Sequence, residues 1–145
     1  MSPKKLTVLL LSILLVIGAV LAGGCLQNGV GTPPAQIIEN ITPEEAFTLI
    51  QDNQGNPSFV ILDVRTPQEF ADGYVANAIN IDFRSATFRD ELDALDKEKT
   101  YLIYCRSGNR SGQALGIMDE LGFLEVYNLS GGISAWQDAG LPTVE

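Results

Sequence analysis

The sequence predicts an α/β domain built on a largely parallel sheet, and three observations predict it. Short apolar runs alternate with helix signals from Ile37 to the C-terminus. The runs Phe59-Val60-Ile61-Leu62 and Tyr101-Leu102-Ile103-Tyr104 are continuous rather than alternating, as strands covered on both faces are. The helix signals carry caps and stops at the spacing helices need. At 145 residues the chain has room for one ordinary domain.

The chain divides into a leader (1–24), a tether (25–36) and the domain (37–145). The leader opens with the basic residues Lys4 and Lys5, continues through an almost purely apolar stretch over 6–22, and closes on Ala22-Gly23-Gly24. Basic, apolar and small-residue regions in that order are the anatomy of a secretory signal. Leu21-Ala22-Gly23-Gly24-Cys25 resembles the lipobox of bacterial and archaeal lipoproteins, with leucine one place further out than usual. That resemblance implies that Cys25 is lipidated and becomes the mature N-terminus. The alternative is an uncleaved anchor, whose largely apolar run of 17 residues sits at the short end of the ~17–25 that span a bilayer. Both readings put the domain outside the cytoplasm at a membrane face. The segment after Cys25 is rich in Gly, Pro and Asn and reads as a short tether.

Within the domain, Thr42-Pro43-Glu44-Glu45 is a capping box with proline at the first helical position, opening a helix to about Gln51. Phe59–Leu62 follows as a buried strand. Thr66-Pro67-Gln68-Glu69 repeats the cap and starts a short helix that Gly73 ends. Ala78–Ile81 is a short strand, and 88–95 an amphipathic helix with Leu92 and Leu95 inward. Tyr101–Tyr104 is the next buried strand and leads directly to Cys105. The helix over 111–121 carries Ala114, Leu115, Ile117, Met118 and Leu121 at helical spacing, with Gly122 as its stop. Glu125–Tyr127 gives a last strand, and 133–139 a last helix before Gly140 and Pro142.

Composition narrows the chemistry. Removing the leader leaves seven basic residues against eighteen acidic ones, about −11, which favours solubility and excludes a phosphate-binding basic stripe. Nucleic acid is therefore not an expected partner. There is no histidine, and the only cysteines are Cys25 and Cys105. A Cys–His catalytic pair and any His-containing metal site are excluded, and one remaining cysteine cannot build a structural zinc site. The expected chemistry needs no metal and no cofactor.

Cys105 falls at the C-terminal end of a strand, in a turn that leads into a helix, which is where open α/β sheets bind ligands. A thiol attacks as its thiolate, so a reactive cysteine needs help to lose its proton. Cys105-Arg106-Ser107-Gly108-Asn109-Arg110 offers three kinds of help. The following helix N-terminus carries partial positive charge. A tight turn around Ser107-Gly108 can aim backbone N–H groups inward as an anion nest. Arg106 and Arg110 add fixed charge and planar donors for an oxyanion. An inert core cysteine would sit in apolar surroundings, which this loop does not provide.

The segment Tyr104–Ser111 resembles the active-site loop of single-domain rhodaneses. Leu62-Asp63-Val64-Arg65 with Glu69-Phe70 resembles the family's "DVR…EF" segment. Residues 73–81 resemble its "GHIxGAxNI" segment, with Tyr74 where histidine is usual and Asn77 where glycine is; asparagine tolerates positive φ better than most residues. Gly131-Gly132-Ile133, Trp136 and Gly140-Leu141-Pro142 resemble its "GG…W…GLP". The resemblance implies a rhodanese-like α/β fold, a central, mostly parallel sheet with helices on both faces. It implies sulfur transfer in two steps: Cys105 takes sulfane sulfur from a small anionic donor such as thiosulfate, and a thiol or cyanide-like acceptor removes it. It assigns Cys105 as nucleophile, the backbone of 106–110 as the anion cradle (Arg106, Ser107, Gly108, Asn109, Arg110), and Arg110 with Arg106 to the donor's oxyanion. Arg65 and Glu69, four residues apart, are read as a structural ion pair.

Two other functions could use a cysteine loop of this kind. Cysteine phosphatases place arginine six positions after the nucleophile, where this chain has Ser111, and Arg110 comes at five. The shorter loop suits a sulfur atom rather than a phosphoryl group. A non-turnover persulfide carrier would need the same loop, so turnover is what separates it from an enzyme.

Overall fold

The structure, a computed structural model, describes residues 34–145. The leader, Cys25 and most of the tether lie outside the described residues, and so do the expectations placed on them. Among the described residues no helix is long and apolar enough to cross a membrane.

The strands are β1 (Ile37–Ile41), β2 (Phe59–Asp63), β3 (Ile79–Asn80), β4 (Thr100–Tyr104) and β5 (Glu125–Leu129). The helices are α1 (Pro43–Asp52), α2 (Pro67–Ala71), α3 (Phe88–Asp93), α4 (Asn109–Glu120) and α5 (Gly132–Asp138). All five strands pair in parallel, in the order β1-β5-β4-β2-β3. β4 is central, with Leu102 opposite Ile61 on one side and Tyr127 on the other.

The pleat of β4 sends alternate residues to opposite faces. Tyr101, Ile103 and Cys105 join Leu62, Phe88, Leu92, Ala114, Leu115 and Met118 in the core under α3 and α4. Leu102 and Tyr104 join Ala46, Ile61, Leu129, Ile133 and Trp136 in the core under α1 and α5. Helices therefore cover both faces, and the continuous apolar runs are explained. Each large side chain so buried stabilises the fold by about 1.5–3 kcal/mol.

Both capping boxes form: Thr42 and Glu45 exchange side-chain-to-backbone bonds of 2.8 and 3.3 Å, and Thr66 and Glu69 bonds of 3.1 and 3.3 Å. Leu92 is fully buried, while Leu95 only packs against the core. β1 was not assigned from the sequence. Its run IIENI has no clean alternation, and Ile37 stays 38% exposed. Among the described residues it is an edge strand, held by pairing with β5 alone. α4 starts at Asn109, two residues before the expected Ser111, because Gly108 at φ +91° is already its N-cap.

Candidate active site

Cys105 follows the last residue of β4, and its thiol is wrapped by the turn that opens α4. The residue is 1% exposed. Gly108 N–H donates to Sγ at 3.1 Å and Ser111 Oγ at 3.4 Å. Burial alone would push the thiol up. Bonds from the Ser111 hydroxyl and from the backbone N–H groups of Ser111, Ser107 and Gly108 outweigh it, so the thiol lies below its ordinary value. These groups favour the thiolate without a histidine.

Of the backbone expected to cradle the anion over 106–110, Gly108 N–H is bonded to Sγ. Ser111, which the sequence reading left out, is fully buried and supplies both a hydroxyl and an N–H. A serine one turn into a helix and six residues after the cysteine is the signal that could have found it. Asn109 belongs to the first turn of α4, is exposed, and accepts from Gln113 Nε2 at 2.9 Å. Its side chain is thus engaged along the helix, not at the sulfur.

Arg110 also belongs to that first turn, and Glu69 takes it in two hydrogen bonds of 2.7 Å each. The guanidinium holds the Glu69 carboxyl down at about 2. Arg110, expected at the donor's oxyanion, thus has both terminal nitrogens on Glu69. The Arg65–Glu69 pair does not form either. Arg65 precedes the Thr66 N-cap and is outside the helix, so the i,i+4 geometry does not apply. Arg65 bonds Asp63 Oδ2 through Nε (2.9 Å) and Nη2 (2.7 Å), and Nη2 also donates to Gly73 O at 2.6 Å. Both members of that pair are buried. Arg106 is exposed and makes no ion pair among the described residues.

The other motifs support the loop. Ile133 N–H donates to Cys105 O (2.9 Å) and Ser134 N–H to Arg106 O (3.1 Å). Gly132, at φ +61°, lies against that same backbone, where a Cβ would come within 2.6 Å of the Arg106 carbonyl carbon. Asn80 Nδ2 donates to Asp63 O (2.9 Å) and Arg65 O (2.8 Å), pinning the end of β2. Trp136 Nε1 donates to Pro142 O at 2.9 Å. Tyr74, at the unusual position, stacks on Phe70 with centroids 4.2 Å apart and pairs its backbone with Val144. Among the described residues Asn77 is the one non-glycine with positive φ, at +66°.

An open cavity of about 320 Å³ adjoins the loop, lined by Arg65, Glu69, Asp72, Arg106, Ser134 and others. Two further cavities, around Asn53–Pro57 and beside Trp136, have no titratable residue in their walls. A shallow one on α1 is walled by Glu44, Glu45 and Asp52 and holds no cation, so among these cavities only the one at the Cys105 loop brings arginines and carboxylates together.

A family model described as a rhodanese-like domain matches residues 44–139. The chain belongs to the rhodanese-like family. A sulfurtransferase of Allochromatium vinosum is 39% identical over 85 residues, covering 59% of this chain and 78% of that protein. A thiosulfate sulfurtransferase of Escherichia coli is 36% identical over 84 residues, 58% of this chain and 77% of that one. A rhodanese-related protein of Thermoplasma volcanium superposes with a TM-score of 0.61 at 32% identity, covering 73% of this chain and 97% of that one. Rhodanese-like relatives named as sulfurtransferases thus support a sulfurtransferase family, and the fold is the one the resemblance implied.

Proposed function

We propose that this rhodanese-like protein transfers sulfane sulfur through a persulfide on Cys105, taking it from an anionic donor such as thiosulfate. The observation that carries the reading is the hydrogen-bonding of Cys105 Sγ by Gly108 N–H and Ser111 Oγ at the end of β4. Groups that hold a thiolate also hold the terminal sulfur anion of a persulfide.

The thiolate attacks the outer sulfur of thiosulfate. A Cys105 S–S bond forms, the S–S bond of the donor breaks, and sulfite leaves with the electron pair. Cyanide or a thiolate then attacks the terminal sulfur, forms its own bond to it, and restores the Cys105 thiolate. The covalent intermediate divides one transfer into two displacements. Arg106 is the cation available to the donor's oxyanion, and backbone N–H groups orient the sulfur.

The leader pattern and the Leu21–Cys25 segment support display of the domain at the outer membrane face, with Cys25 lipidated. A Cys25→Ala chain is expected to differ from wild type in gel migration and in detergent partitioning. Migration and partitioning both like those of wild type would remove the lipidation reading.

Full-length protein incubated with thiosulfate, polysulfide or mercaptopyruvate is expected to gain one sulfur atom at Cys105 by intact mass. With cyanide as acceptor it is expected to turn over, and Cys105→Ser to do neither. Sulfur gain without turnover would indicate a carrier. No sulfur gain from any donor would end both readings.

A further inference from the structure

The cavity that meets the sulfur loop at Arg106, the residue after Cys105, is lined by two arginines and two carboxylates. Arg65 is neutralised by Asp63, and Glu69 by Arg110. That leaves Arg106 and Asp72, one charge of each sign, both exposed. The mouth is therefore electrically balanced, on a chain whose net charge is −9. Among the described lining residues a dianion entering such a mouth meets Arg106 as the one unpaired cation, with a negative protein around it. A donor with one charge or none on its terminal sulfur, and an uncharged tail, loses little by comparison.

We infer that Glu69 sets donor specificity as a positioning residue: by holding Arg110 in a two-bond ion pair it favours an organic hydropersulfide over dianionic thiosulfate. The inference rests on the Cys105 persulfide chemistry proposed above. With a hydropersulfide, the thiolate takes the terminal sulfur, the donor's S–S bond breaks, and the donor leaves as a thiolate that accepts the proton. Arg110 stands in the first turn of α4, two residues past the Gly108 whose N–H binds Cys105 Sγ. Freed from Glu69, it would act on an anion at the same sulfur.

Glu69→Gln is the informative substitution, because glutamine can still close the capping box with Thr66 but no longer cancels the guanidinium. The rate of Cys105 persulfide formation is measured with thiosulfate and with an alkyl hydropersulfide in wild type, Glu69→Gln and Glu69→Gln/Arg110→Gln. In Glu69→Gln the thiosulfate-to-hydropersulfide ratio of kcat/KM is expected to rise about tenfold, through the KM for thiosulfate, and the double variant to lose that gain. An unchanged ratio, or an equal loss with both donors, would overturn the inference, because a merely structural role predicts that result. Wild type gives a second readout that needs no variant. Between about 20 and 300 mM NaCl its thiosulfate rate is expected not to fall, because a balanced mouth offers little attraction to screen and salt weakens the repulsion from the negative chain. A steep fall overturns the inference. A wild-type chain that takes sulfur from neither donor overturns the persulfide chemistry itself, a different outcome from sulfur uptake with an unaltered ratio.

Discussion

The backbone of Gly132 lies directly against the carbonyl of Cys105, and the next residue, Ile133, donates its N–H to that oxygen at 2.9 Å. The two ends of the domain's chemistry are thus joined main chain to main chain: the turn after β4 rests on the N-terminus of α5. No side chain can stand between them. Gly132 is at φ +61°, where a Cβ is strained whatever the space, and here it would also strike backbone that cannot yield.

Gly132→Ala is therefore expected to destabilise the protein by about 3 kcal/mol, adding left-handed strain to overpacking. The displaced loop should also carry Gly108 N–H away from Cys105. Urea unfolding and persulfide formation are the paired measurements. A variant that unfolds like wild type but forms no persulfide would show the contact to be purely local, against this expectation.

Ser111 is the second handle on the thiol. Its hydroxyl heads the groups that lower the Cys105 thiol against the opposing effect of burial. Ser111→Ala keeps the backbone N–H and deletes the hydroxyl, so the thiol is expected to rise. The sign follows from the thiolate fraction: loss of rate is greatest at acidic pH and vanishes once both proteins are ionised. A charge-assisted bond of about 1.5 kcal/mol sets the acidic-side loss at roughly tenfold. Alkylation of Cys105 as a function of pH checks this, and parallel profiles for the two proteins would contradict it.

Asp63 and Arg65 form a buried pair, with side-chain exposures of 0% and 7%. Asp63→Asn removes the charge but not the volume and strands the guanidinium under Gly73 and Tyr104. The expected cost is about 3–5 kcal/mol, seen as a fall in the urea midpoint. A loss below about 1 kcal/mol would mean that water reaches Arg65. The pair's role is to fix the end of β2 beside the sulfur loop, so activity should follow stability rather than fall on its own.

Local signals carried most of the fold. Thr66 and Glu69 declare a helix start by their spacing, and Gly122 ends α4 at φ +83°. Asn77 reports its own positive φ by standing where a glycine is usual. Contacts distant in sequence are a different matter. Glu69 and Arg110 are 41 residues apart and meet only because β2 and β4 are sheet neighbours. From spacing alone Arg65 is the nearer partner for Glu69, yet the N-cap at Thr66 turns it out of the helix and toward Asp63. β1 was hidden for a related reason, since the strand it pairs with, β5, lies almost ninety residues downstream. The cysteine and its turn could be read; which charges remain free around them could not.

The ion pair of Glu69 also predicts how the protein meets acid. Its carboxyl lies at about 2, down from an ordinary 4.5, chiefly through the hydrogen bonds of Arg110. A carboxyl depressed in the folded state adds stability that is complete above the unfolded value and is lost as pH falls through the folded one. The window here runs from about 4.5 to about 2. The pair is only partly buried, so solvent screening holds the contribution to about 2 kcal/mol. The difference in unfolding free energy between wild type and Glu69→Gln is therefore expected to be flat from neutral pH to about 5 and to shrink steadily below it. Urea titrations at a series of acidic pH values test this. A difference that stays constant down to the lower end of the window would mean that Arg110 does not hold the carboxylate in solution, and the charge balance at the mouth of the sulfur site would have to be redrawn.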